Sequence, residues 1–106
     1  MRGPIPLDPL TVDLRVPSKL RGVYCLGNTP KEATCVERAD ENLNQAIKAN
    51  EGKFSFFWFE PCLTPTERYV THCRWFHQLN NSGHFGAGGH PQRPDGVEAR
   101  CPVCGE

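Results

Sequence analysis

Two cysteines near the C-terminus have the spacing of half a zinc knuckle. Cys101 and Cys104 belong to a Cys-Pro-Val-Cys-Gly segment, whose tight turn can bring two thiolates to one ion. Zinc needs two further ligands. Cys73 and His77 are four residues apart in a segment that we predict to be helical, so both side chains leave the same face. The pattern predicts a closed Cys3His zinc site that stabilises the fold and has no open position for catalysis.

His90 is the main rival for one of these four positions. Without a metal, Cys73 would be a small buried apolar residue and His77 a surface residue. A thioredoxin-like redox role is disfavoured, because that motif opens a helix after a strand, whereas here the two cysteines close the sequence. Three other cysteines are expected to be core thiols: Cys25, Cys35 and Cys62.

Length and composition limit the classes of protein that remain. The chain has 106 residues and equal numbers of basic and acidic side chains, 12 of each. We therefore expect one domain that does not bind nucleic acid by bulk charge, although a local basic patch stays open. The sequence lacks an apolar run typical of a signal peptide or a membrane span. Six cysteines without an export signal predict reduced thiols in the cytoplasm.

Local patterns predict an α+β fold with a small antiparallel sheet of about three strands and flanking helices. Residues 1–19 are expected to form an N-terminal arm or strand, residues 20–80 the core, and residues 81–106 a Gly/Pro-rich loop and the zinc tail. The predicted elements are strands at 10–16, 22–26, 33–36 and 54–59, helices at 40–49 and 64–79, and a loop at 82–100. Thr64, Pro65 and Glu67 give the second helix a capping box at its start.

The order of strand, strand, helix, strand and helix over residues 20–80 resembles the GIY-YIG nuclease family. Gly22-Val23-Tyr24 looks like the first tripeptide of that family, and Cys35-Val36-Glu37 lies where the second should be. The segment from Arg38 to Ile47 resembles the approach to the family's first helix. The tail, with Gly89-His90-Pro91 and the Cys-Pro-Val-Cys segment, resembles the zinc-bearing end of a bacterial branch of the family.

The resemblance implies a catalytic site that has lost several groups. The family uses a Tyr to activate or position water, an Arg for phosphate charge and a Glu for a divalent metal. Tyr24 remains, but the second Tyr is replaced by Cys35, the helix Arg falls at Gln45, and the metal-binding Glu falls near His72. Glu67 is better explained as part of the helix cap.

Three functions follow as hypotheses. The first is a catalytically inactive GIY-YIG-like zinc domain that binds a protein or a nucleic acid, as an accessory or inhibitor of a nucleic-acid enzyme, including one from a phage or mobile element. The second is a divergent metal-dependent endonuclease that uses Tyr24, Glu67, His72 and His90. The third is a structural zinc module of a larger assembly.

Overall fold

A four-stranded antiparallel sheet with three helices forms the fold. The structure is a computed structural model that describes residues 1–81 and 90–105, so part of the predicted loop lies outside the described residues. The strands are β1 (Arg2–Pro6), β2 (Gly22–Gly27), β3 (Cys35–Ala39) and β4 (Phe56–Pro61), and the helices are α1 (Pro9–Arg15), α2 (Leu43–Lys48) and α3 (Pro65–Asn81). The strand order is β1-β4-β2-β3. The predicted α+β class is confirmed, with four strands where about three were expected.

The additional strand comes from the N-terminus. β1 pairs with β4, with Ile5 opposite Phe57, and Ile5 is almost fully buried. A cis peptide bond joins Gly3 to Pro4. The N-terminal segment therefore closes one edge of the sheet, and β4 becomes an interior strand.

The strand predicted at 10–16 is wrong, because this segment forms α1. The Asp8 carboxylate accepts a hydrogen bond from the Thr11 backbone N–H at 3.0 Å, which caps the helix ahead of a proline in its first turn. Val12 and Val16 are buried and lie four residues apart, as one face of a helix requires. The apolar residues of this segment fit the spacing of a helix as well as the alternation of a strand. Only the Asp-Pro sequence at its start favours the helix.

The side chains of the sheet alternate between two cores. One face is covered by α1 and α2, and its buried residues include Tyr24, Leu26, Phe57, Phe59, Leu43 and Ile47. The other face is covered by α3, and its buried residues include Val23, Cys25, Val36, Phe76 and Leu79. Because neighbouring residues of a strand point to opposite faces, Tyr24 and Leu26 of β2 belong to the first core, whereas Val23 and Cys25 belong to the second.

The N-terminus of α3 lies at the position that the capping residues predict. The Thr64 hydroxyl accepts a hydrogen bond from the Glu67 backbone N–H at 3.1 Å. The Arg68 guanidinium is buried and donates from Nε to Asp40 at 3.0 Å and from Nη1 to the Cys62 carbonyl at 3.1 Å. These bonds hold α3 against the sheet in a fixed rotation. No helix in the described residues is both long and apolar enough to cross a bilayer.

Candidate metal centre

Four metal-ligating side chains converge beside the C-terminal half of α3. The donor atoms of His77, His90, Cys101 and Cys104 all lie within 4.8 Å of one another. His77 comes from α3, whereas the other three come from the tail that follows the loop. Tetrahedral zinc, with Zn–S bonds of about 2.3 Å and Zn–N bonds of about 2.0 Å, separates its donors by roughly 3.5 Å. Small side-chain movements are therefore enough to close this cluster around one ion.

The two ring nitrogens of His90 have different neighbours, a carbonyl oxygen and a cysteine sulfur. Its Nδ1 lies 2.9 Å from the Pro91 carbonyl oxygen, so Nδ1 carries the proton and donates. Nε2 then holds a lone pair and lies 3.3 Å from Cys104 Sγ. A ligating histidine commonly donates its other N–H to a carbonyl in this way, which fixes the ring orientation and the tautomer.

His77 has a buried nitrogen that points to a ligand. Its Nε2 is buried and has no hydrogen-bond partner among the described residues. The Phe76 ring makes edge-to-face contacts with both imidazoles, with centroids 5.1 Å from His77 and 5.5 Å from His90. Since an unpaired buried polar atom is costly, a metal ion at this position would satisfy the His77 nitrogen.

The turn at Cys101 stabilises its thiolate. The Gly105 N–H donates to the Cys101 carbonyl at 2.9 Å, and Gly105 has a φ of 81°, which suits glycine. Burial by itself opposes ionisation of Cys101, but hydrogen bonds from the backbone N–H groups of Cys104 and Val103, together with the side chains of His90 and Cys104, lower the pKa of the thiol to about 5. A lowered pKa favours the thiolate, which is the form of cysteine that binds metal.

Cys73 lies next to this cluster and is not one of its four members. Its side chain is fully buried with Tyr69, Val97 and Cys101, within hydrogen-bonding reach of Tyr69 and Cys101. Burial raises the pKa of Cys73 to about 12, which favours the neutral thiol. The structure therefore brings together three of the four predicted ligands, and His90, the rival, occupies the place that the sequence assigned to Cys73.

The position of Cys73 on α3 explains the difference. Cys73 and His77 do share one side of the helix, but Cys73 is one turn closer to the helix start. It packs in a buried cluster with Val97. His90 has no partner at a fixed spacing in the sequence, because it enters the cluster through the fold of the tail. Its position directly before Pro91 favours an extended backbone, but this local signal does not bring the ring to the cysteine pair.

The charge of the donor set fits a divalent ion. Two thiolates and two neutral imidazoles neutralise one Zn²⁺, so a site of this composition can be buried without leaving a net charge. The four donors also fill a tetrahedral shell. The residues can hold a metal ion in a closed site, which links the tail to α3.

The residues of the alternative endonuclease site do not converge. Tyr24 belongs to the core under α1 and α2, and burial raises the pKa of its hydroxyl to about 12. His72 lies on the opposite side of the sheet with α3, next to the Val36 carbonyl and Arg38. Glu67 is exposed in the first turn of α3, and His90 is in the cysteine cluster. The sheet therefore separates Tyr24 from the other three side chains.

Comparisons with protein-family models, with curated proteins and with solved structures found no match to this chain.

Proposed function

We propose that this chain is a zinc-stapled, GIY-YIG-like domain without nuclease activity, which acts by binding a macromolecule. The observation that carries the zinc assignment is the convergence of two histidine nitrogens and two cysteine sulfurs within 4.8 Å. A thiolate-imidazole set with tetrahedral capacity is the donor set that zinc prefers. All six cysteines are free thiols, which supports a reducing compartment such as the cytoplasm.

The order of elements supports the resemblance to the nuclease family. β2, β3, α2, β4 and α3 follow one another in the order that the resemblance implies, and β2 lies between β3 and β4. The loss of catalytic activity is supported by the chemistry that is missing. Gln45 stands at the position of the expected cation, and Tyr24 is separated from His72 by the sheet.

Two apolar features favour a protein partner over a nucleic acid. Leu10 and Leu14 lie one turn apart on α1 and are 70% and 76% exposed. A cavity of about 440 Å³ between the sheet and α3 is lined in part by Trp58 and Trp75, and indole rings are frequent anchors at protein interfaces. The zero net charge gives no general attraction to phosphates.

The zinc assignment is tested by elemental analysis of protein purified without chelators. We expect one zinc per chain, and we expect its removal to lower Tm by at least about 10 °C, because a ligand that binds only the folded state stabilises it. Cys101→Ser and Cys104→Ser should lose the metal, whereas Cys35→Ser, on β3, should retain it. Metal-free wild-type protein that takes up no added zinc would contradict the proposal.

Activity and binding are tested on the same preparation. Incubation with DNA and RNA in Mg²⁺ or Mn²⁺ should give no cleavage, and cleavage that disappears in Tyr24→Phe would establish the endonuclease instead. We expect a purified protein partner to bind the wild type. The same partner should bind the Leu10→Ser/Leu14→Ser variant at least about tenfold more weakly. Salt-sensitive binding to DNA or RNA that this variant retains would establish a nucleic-acid partner.

A further inference from the structure

Five metal-ligating side chains surround a site that needs four. Cys73 is the fifth, and its thiol is packed against Cys101 on the side away from solvent. Neither residue is accessible in the folded chain, since Cys73 is 0% and Cys101 3% exposed. Cys104, the other thiol of the tail, is exposed. The buried pair thus joins α3 to the same tail segment that the metal would hold.

We propose that Cys73 and Cys101 form a disulfide when the metal is lost under oxidising conditions, so that a covalent bond replaces the zinc as the link between α3 and the tail. This inference rests on the proposed zinc site. While zinc is bound, the Cys101 sulfur is engaged by the ion and Cys73 is covered by Val97 and Cys101. Once the ion leaves, the tail loses its anchor and both sulfurs become accessible to a small oxidant.

A hydroperoxide supplies the oxidising equivalents. Hydrogen peroxide converts the Cys101 thiolate to a sulfenic acid and releases hydroxide. The Cys73 thiol then attacks the sulfenic sulfur, the S–S bond forms, and water leaves with the thiol proton. Two electrons pass from the two cysteines to the peroxide.

The competing product is a disulfide between Cys101 and Cys104. That bond would close a small ring inside one turn and would place no constraint on α3. A bond from Cys73 to Cys101 closes a loop that contains the whole Gly/Pro-rich segment, so it restrains the unfolded chain far more. Of the two products, only the bond from Cys73 ties the tail to α3.

The tryptic peptides of this chain distinguish the two products directly. Cleavage after Arg68 and Arg74 gives peptide 69–74, which contains Cys73 alone, and cleavage after Arg100 gives peptide 101–106 with both tail cysteines. A bond from Cys73 joins the two peptides. A bond between the tail cysteines leaves peptide 101–106 unlinked and two hydrogens lighter.

Two samples of the full chain are prepared, one loaded with zinc and one stripped by a chelator, and the zinc content of each is measured. Both samples are then treated with hydrogen peroxide. Free thiols are then alkylated, and the digest is analysed by mass spectrometry without reduction. We expect at least about tenfold more cross-linked peptide from the stripped protein, since metal coordination protects thiolates. Cys73→Ser should abolish the cross-link, whereas Cys104→Ser should retain it and so place the bond at Cys101.

A cross-link that is lost in Cys104→Ser, or a stripped protein that gives only the bond within peptide 101–106, overturns the inference. Both results leave the zinc site intact, because the zinc content is measured before oxidation. Protein that takes up no zinc contradicts the proposed function instead, and a cross-link found equally in both treatments contradicts the protection by metal.

Discussion

The Nε2 atom of His90 lies 3.3 Å from the Sγ atom of Cys104, although fourteen positions separate the two residues in the chain. The contact depends on the fold of the tail against α3, because His90 also makes an edge-to-face contact with Phe76, with ring centroids 5.5 Å apart. It places an imidazole in the position for which the sequence offered Cys73. The two histidines and two cysteines form one site because the tail returns to the helix.

His90 and Cys73 should therefore differ in their effects on zinc affinity. Removing His90 in His90→Ala takes a nitrogen from the coordination shell, and we expect zinc affinity to fall at least about 100-fold. Cys73→Ser removes only a neighbour of Cys101, so the loss should stay within about tenfold. Competition with a chromophoric chelator measures both values.

The opposite ranking would restore the Cys3His set, with Cys73 as a ligand. Optical spectra of the Co²⁺-substituted protein give an independent check, because the intensity of thiolate charge transfer reports the number of sulfur ligands. Two thiolates are expected in the wild type and in Cys73→Ser, whereas a Cys3His site would show three in the wild type and two in Cys73→Ser.

Several parts of the fold could be predicted because local chemistry determines them. Thr64 and Pro65 specified the start of α3, and the spacing of Cys73 and His77 placed two candidate ligands on one face of it. The spacing of Cys101 and Cys104 likewise gave half of the site. In each case the partners are within one helical turn or one tight turn of each other, so the sequence distance sets the spatial distance.

Other parts could not be predicted because tertiary packing decides them. The alternation of Leu10, Val12 and Leu14 fits a strand, yet Asp8 caps a helix there, and Val12 and Val16 fill the core under it. The entry of His90 into the cluster is likewise a long-range event with no periodic signal.

Gly22 should be intolerant of a side chain. A Cβ atom at this position would collide with the Glu60 carbonyl oxygen on the neighbouring strand, in a strand that is buried along its whole length. We expect Gly22→Ala to lower the free energy of unfolding by about 2–3 kcal/mol, because the backbones of β2 and β4 must move apart. Urea denaturation measures the change.

Gly52 provides the matched control for this substitution. A Cβ there meets no atom within 4 Å, but its φ of 82° is one that other residues adopt at a cost. Gly52→Ala should therefore lose only about 1 kcal/mol. Equal effects at the two glycines would show that steric contact with β4 is not what requires Gly22.

Asp40 should be important for stability through the two arginines that it pairs. Its carboxylate accepts hydrogen bonds from Arg38 and Arg68, each at 3.0 Å. Although burial opposes its ionisation, the two guanidinium groups hold the pKa of Asp40 below its usual value. Asp40→Ala leaves the buried Arg68 without its carboxylate, and we expect a loss of about 2–3 kcal/mol in the free energy of unfolding.

Asp95 serves as the comparison for Asp40. It is an exposed aspartate in the tail rather than beside Arg38 and Arg68. Asp95→Ala should therefore change stability by less than about 0.5 kcal/mol. A loss at Asp40 no larger than that at Asp95 would mean that water replaces the carboxylate at both arginines without cost.

His72 should make the fold sensitive to acid. The residue is 8% exposed, and burial, assisted by the charges of Arg38 and His90, lowers its pKa from the ordinary 6.5 to about 4, while the Val36 carbonyl and the charge of Asp40 oppose the shift. Protonation of the folded state is thus harder than protonation of the unfolded state. The stabilisation is complete above pH 6.5 and is lost as the pH falls from 6.5 toward 4, because the unfolded chain then binds the proton first.

The variant His72→Gln removes this titration and can keep a donor for the Val36 carbonyl. Between pH 7 and pH 4.5 the wild type should lose roughly 2–3 kcal/mol more stability than His72→Gln. The reason is that each unit by which the pKa differs between the folded and unfolded states corresponds to about 1.36 kcal/mol. The zinc ligands titrate in both proteins, so the difference between them isolates His72. Parallel pH profiles for the two proteins would contradict the assignment, and would indicate that the ring gains a proton in the folded state as easily as in the unfolded chain.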